Sequence, residues 1–139
     1  MSVQPFVLDP RLEAETSQIG ELALCRVLLM DDARFPWLIL VPKRPGLVEI
    51  IDLGSADLVR LMEEIATASG VLEAATSAFK LNVAALGNVV RQLHVHVIAR
   101  FENDAAWPSP VWGKGERVSY EPVKRAEFSG KLRAGFGFG

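Results

Sequence analysis

The chain is poor in the residues that most often carry chemistry. Its 139 residues include one cysteine, one tyrosine and two histidines. A lone thiol, Cys25, closes no internal disulfide, which fits a reducing, cytoplasmic compartment. No charge of one sign prevails: 15 Lys and Arg face 17 Asp and Glu, for a net charge of -2. That balance speaks against duplex nucleic acid or an anionic membrane as a partner. No apolar run approaches the roughly 18 residues of a membrane span, and no basic-then-apolar start reads as a signal peptide.

Half of the residues are apolar and 23% are charged, which excludes a disordered chain and suffices for a core. The length is that of one domain, 1–139, with a core about 5–112 and a tail about 113–139. Pro10 at a first turn, followed by Leu12, Ala14 and Ile19, predicts a short helix over 10–18 that Gly20 stops. Two apolar runs, 22–30 and 37–41, flank the polar break 31–34 and predict an antiparallel hairpin. Both of its faces are expected to be covered, because the runs are too apolar for a wet face. Ser55 reads as the cap of a long amphipathic helix over 56–78, with Leu58, Leu61, Met62, Ile65, Leu72 and Phe79 as its apolar stripe. Glu63 and Glu64 fall off that stripe. A strand over 81–86, a turn at Gly87-Asn88 and a strand over 91–101 follow. One short helix is expected at 122–132, and the closing GFGFG is not expected to order alone. The class is α+β: an antiparallel sheet, a long amphipathic helix and a short N-terminal helix, with helices on one side.

The two histidines are His94 and His96, a spacing that random placement gives roughly one time in 70 by pair counting. On a strand, Leu93, Val95, Val97 and Ala99 point one way, and Gln92, His94 and His96 point the other. Each is about 6.6 Å from the next along the strand, so two imidazoles can reach one phosphate group. One can attack phosphorus as a neutral nucleophile. The other can donate a hydrogen bond to a phosphate oxygen or supply a proton. The Gly87-led turn can aim backbone N–H groups at an anion. Zinc wants at least three protein ligands, and neither Cys25 nor any Asp or Glu stands at ligand spacing from the pair. No metal and no cofactor is expected.

The segment 87–100, GNVVRQLHVHVIAR, resembles the signature of the histidine triad superfamily, in which three histidines alternate with apolar residues after a Gly-led turn. The strand LILVPK at 38–43, the long helix and Asn82 ahead of the motif follow the same order, and the resemblance spans about 22–100. AAWPSPVWG beyond Phe101 is similar to the tails of bacterial members. The resemblance implies a homodimeric hydrolase or transferase acting at the α-phosphate of a nucleoside monophosphate conjugate or dinucleoside polyphosphate, with adenosine or guanosine as base. It assigns the nucleotidyl-histidine intermediate to His94, phosphate contact and proton traffic to His96, and the carbonyl that holds the nucleophile to Gln92. Substrate contacts fall on Asn82, Gly87, Asn88 and Val89, and an apolar nucleoside pocket on 24–30 and 37–40. The sequence departs from the pattern at Gln92, where the first histidine is expected, at Val89 in place of Ser or Thr, and at Trp37 and Pro45 in place of further histidines. These departures support an alternative, a non-catalytic nucleotide-binding or interaction protein on the same fold. Arg91 and Arg100 are candidates for steering an anion, Lys43 and Arg44 for solvated charge, and Trp107 and Trp112 for covering the core or a subunit contact.

Overall fold

Residues 4–139 are described by a computed structural model. Helix α1 (Pro10–Glu15) leads into strand β1 (Thr16–Glu21). Then come β2 (Cys25–Met30), β3 (Trp37–Pro42), a 3-10 turn (Ile50–Asp52), α2 (Ser55–Thr76), β4 (Lys80–Ala84), β5 (Val95–Arg100) and α3 (Pro122–Phe136). The five strands form one sheet in the order β1-β2-β3-β5-β4, and every neighbouring pair is antiparallel. The expected hairpin is β2–β3, and every residue of β3 is buried, so both faces of the sheet are covered.

The two faces carry different cores. Val27, Leu29, Leu38, Leu40, Val95, Val97 and Ala99 meet Leu61, Ala68 and Leu72 of α2 and Leu132 of α3. Burying each Leu there contributes roughly 1.5–3 kcal/mol. The opposite face packs Leu28, Trp37, Ile39 and Ile98 against Leu12 of α1, Phe35, Ala106 and Val111. Two helices thus cover one face, and α1 with loops covers the other, so the helices are not all on one side.

Several elements differ from expectation, each for a local reason. Helix α1 ends at Glu15, because Ser17, Gln18 and Gly20 join a strand that pairs with β2. Gly20 caps nothing. It lies under the ring of Phe138, where a Cβ would collide. At the start of α2 the cap position is Gly54, with no side-chain bond, and Ser55 is already helical. The buried stripe of α2 is Leu61, Glu64, Ala68 and Leu72, while Met62 is 66% exposed. Glu64 is buried because its carboxylate accepts the backbone N–H of Leu24 (2.9 Å) and Cys25 (2.7 Å), completing the entry to β2. Strand β5 begins only at Val95, because residues before it turn to place Gln92 and His94. The segment read as a tail carries a 15-residue helix, and Leu132 in it is fully buried. The terminal Phe136 and Phe138 rings stack at 5.1 Å and pack on the same core.

Candidate active site

His96, Ile98 and Arg100 alternate along β5 with its core residues Val95, Val97 and Ala99, and Gln92 and His94 stand in the segment just before the strand. His94 and His96 are both buried, with ring centroids 4.8 Å apart and planes crossing at 72°. His94 Nδ1 lies 2.7 Å from the backbone carbonyl of Gln92. A carbonyl only accepts, so Nδ1 carries the proton and Nε2 keeps its lone pair. His94 lines a cleft of about 200 Å³ with Gly87, Gln92, Leu93, Ala85, Leu86 and residues 48–51. His94 thus combines an engaged Nδ1 with a ring that a small ligand can approach.

His96 is set differently. Trp37 donates its indole N–H to His96 Nδ1 at 2.9 Å. Burial, reinforced by the neighbouring His94, pushes the His96 pKa down to about 3. His96 is therefore uncharged throughout the neutral range.

The side chain of Gln92 faces neither imidazole. Its amide nitrogen donates to the Val7 carbonyl (2.8 Å), and its amide oxygen accepts the Asp9 N–H (2.9 Å). The segment ahead of α1 is thus pinned to the turn that enters β5. Arg11 adds a bond from its guanidinium to the Val89 carbonyl at 3.0 Å. Gly87 holds the turn with φ +69°, a conformation that L side chains rarely adopt, and it lines the cleft. Asn88 and Val89 are exposed on that turn and do not line the cleft. Asn82 pairs with Ile98 across β4–β5, two positions from the Ala84–His96 pair. Its side-chain oxygen accepts from the Arg100 guanidinium at 2.9 Å.

Arg100 is not available to steer an anion. It is 1% exposed and is held by Asp104 at 2.8 and 3.1 Å and by the Ser109 carbonyl at 2.8 Å. Lys43 and Arg44 pair with Glu21 and Asp57 at the surface. Trp107 meets Phe79 edge to face at 5.5 Å, whereas Trp112 packs on Trp37 and His96. The Cys25 thiol is buried, and burial beside Glu64 pushes its pKa up, which leaves it unreactive. Among the described residues no three His, Cys, Asp or Glu converge in a way that would hold a metal ion. Among the described residues no helix is long and apolar enough to cross a membrane.

The sequence profile of the HIT domain matches residues 11–103. The chain belongs to the HIT domain family. Close structural relatives are bacterial histidine triad proteins. One from Bradyrhizobium japonicum is 47% identical, with 96% of this chain and 99% of that chain covered and a TM-score of 0.94. One from Sinorhizobium meliloti 1021 is 45% identical over 94% and 96% of the two chains, with a TM-score of 0.92. One from Marinobacter aquaeolei VT8 is 43% identical over 96% and 98%, with a TM-score of 0.94. No curated protein matches the sequence. The α+β architecture with its five-stranded antiparallel sheet is that of the HIT fold.

Sequence reasoning did not single out Trp37 as a partner of His96, nor residues 48–51 as a cleft wall. Trp37 is one of the departures from the pattern that the resemblance implies, and that departure is the available signal. Residues 48–51 carry none, since no motif or spacing marks Val48, Glu49, Ile50 or Ile51.

Proposed function

We propose that the protein is a nucleotide hydrolase or transferase of the histidine triad type. The observation that carries this reading is the His94 ring, whose Nδ1 is engaged by the Gln92 carbonyl while it lines a cleft beside the Gly87 turn. His94 Nε2 attacks the α-phosphorus and forms a P–N bond as the bond to the leaving group breaks. Water then attacks the nucleotidyl-histidine, releases a nucleoside monophosphate and returns the lone pair to His94. His96 contacts a phosphate oxygen, and backbone N–H groups of the Gly87 turn face the same anion. The nucleoside, with adenine or guanine as base, lies against Met30, Trp37 and Trp112, which line a second cleft of about 380 Å³.

The leaving group follows from the state of the two neighbours. Gln92 cannot ionise, and its side chain is held by Val7 and Asp9. His96 is kept neutral by burial. Neither supplies a proton, so the site favours a group that departs as an anion. A phosphoanhydride, as in a dinucleoside polyphosphate, meets that condition better than a phosphoramidate, whose amine needs protonation.

Two copies would associate through the exposed edge of β4, where Val83 is 49% exposed. The buried single thiol fits a reducing cytoplasm. The second reading, binding without turnover, is favoured by the same engagement of Gln92. Mixing the protein with a diadenosine polyphosphate and recording intact mass separates the two. A nucleotidyl adduct on wild type and on His96→Ala, absent from His94→Ala, supports the enzyme. Thermal stabilisation by AMP with no adduct and no product supports the binder.

A further inference from the structure

His96 is enclosed by aromatic rings. Trp37 meets it at 5.6 Å with planes at 62°, Trp112 at 5.0 Å and 77°, and His94 at 4.8 Å and 72°. Trp37 and Trp112 also meet each other edge to face at 5.6 Å, which closes the box. These are the edge-to-face contacts that aromatic quadrupoles favour. The other polar groups on this side of β5, Arg100 and Asn82, are bonded to one another. His96 Nδ1 has the Trp37 indole as its hydrogen-bond partner.

An indole nitrogen carries a proton and no available lone pair. Trp37 therefore donates, and His96 Nδ1 accepts. A neutral imidazole that accepts at Nδ1 bears its proton on Nε2. The opposite tautomer would set two N–H groups against each other at 2.9 Å between buried side chains. His94 and His96 thus sit in opposite tautomers. One is fixed by a carbonyl that only accepts, the other by an indole that only donates.

We infer that Trp37 is a positioning residue of this site: its N–H fixes His96 as a hydrogen-bond donor at Nε2, so that one imidazole offers a lone pair and its neighbour an N–H hydrogen bond, without proton transfer, to the same phosphate. The inference rests on the proposed function for the phosphate, but the tautomer claim stands without it. Trp112 completes the enclosure and donates nothing to Nδ1, so the two tryptophans have separable roles.

The test uses the whole chain labelled with 15N. Only two histidines contribute ring signals, and His94→Ala assigns them. Wild type and Trp112→Phe should both show His96 with its proton on Nε2. Trp37→Phe keeps a ring in place and removes the N–H, so His96 should become a mixture of tautomers. With a diadenosine polyphosphate, kcat of Trp37→Phe should fall about tenfold or more, the scale for weakening one donor to a developing charge. Trp37→His, which restores an N–H donor, should recover part of kcat and the Nε2–H signal. If His96 keeps its tautomer in Trp37→Phe, or if the tautomer changes and kcat does not, the positioning role is overturned. If wild type turns over no nucleotide, the hydrolase reading fails, and the ring signals still decide whether Trp37 sets the tautomer.

Discussion

The two sides of β5 are buried to the same degree and are held in different ways. On one side Val95, Val97 and Ala99 join the apolar core that α2 covers. On the other, His94, His96 and Arg100 are buried, and each has a named polar partner: a carbonyl, an indole and a carboxylate. Apolar packing is non-directional and tolerates exchange of like for like. A buried polar group is costly unless its partner is in place, so its geometry is fixed more tightly. The same strand therefore presents a side that contributes stability and a side that orders chemical groups. Substitutions should separate the two.

The largest contrast is expected at His94. His94→Ala should reduce turnover of a diadenosine polyphosphate by about 10⁴-fold or more, as loss of a nucleophile does in other enzymes. Its melting temperature should fall by only a few degrees, because the ring, though buried, borders a cleft and the Gln92 carbonyl loses one donor. Comparable turnover in His94→Ala and wild type would show that the chemistry is not on this side of the strand. Leu72→Ala, on the helix-covered side, should do the reverse. It should lower stability in urea by roughly 2–5 kcal/mol and leave kcat of the folded fraction unchanged.

This separation was partly legible from sequence. The alternation from Leu93 to Ala99 placed the two histidines together, and the hairpin and long helix fall within a few residues of their expected positions. Strand β1 was not legible, because TSQIGE carries one large apolar residue and forms a strand only by pairing with β2. Glu64 was misplaced because a carboxylate on a helix usually meets water. Here two backbone N–H groups replace the water. Arg100 read as a flanking cation, and only the fold brings Asp104, Asn82 and Ser109 around it. The bond between Trp37 and His96 spans 59 positions, beyond the reach of any local pattern.

Acidification should sharpen the comparison further. The folded His96 has a pKa near 3 against an ordinary 6.5, with burial first and His94 second as causes. Below pH 6.5 the unfolded chain takes up a proton that the folded chain refuses, so stability falls as pH drops from 6.5 toward 3. The loss should reach the order of 3 kcal/mol by pH 4, measured as the urea midpoint at constant ionic strength. His96→Gln removes the titrating group and should flatten that part of the curve. A wild-type profile as flat as that of His96→Gln would mean that His96 protonates freely in the folded state.

The smallest effect concerns Gln92, where the two sides of the comparison meet. Its backbone carbonyl belongs to the chemistry, since it holds His94 Nδ1. Its side chain belongs to the fold, since it joins Val7 and Asp9 to the turn before β5. Gln92→Leu should lose those two bonds, one of them at the surface, and lower stability by about 1 kcal/mol. The carbonyl survives the substitution, so kcat should stay within about threefold of wild type if the side chain only ties the N-terminal segment down. A large fall in kcat with an unchanged melting temperature would instead place the Gln92 amide on the substrate. The opposite substitution carries the same logic. Gln92→His would restore three alternating histidines, yet the new imidazole would have to displace or replace both backbone bonds before it could face the phosphate. A gain in turnover of a phosphoramidate over a phosphoanhydride would then report a proton donor that the wild-type site lacks.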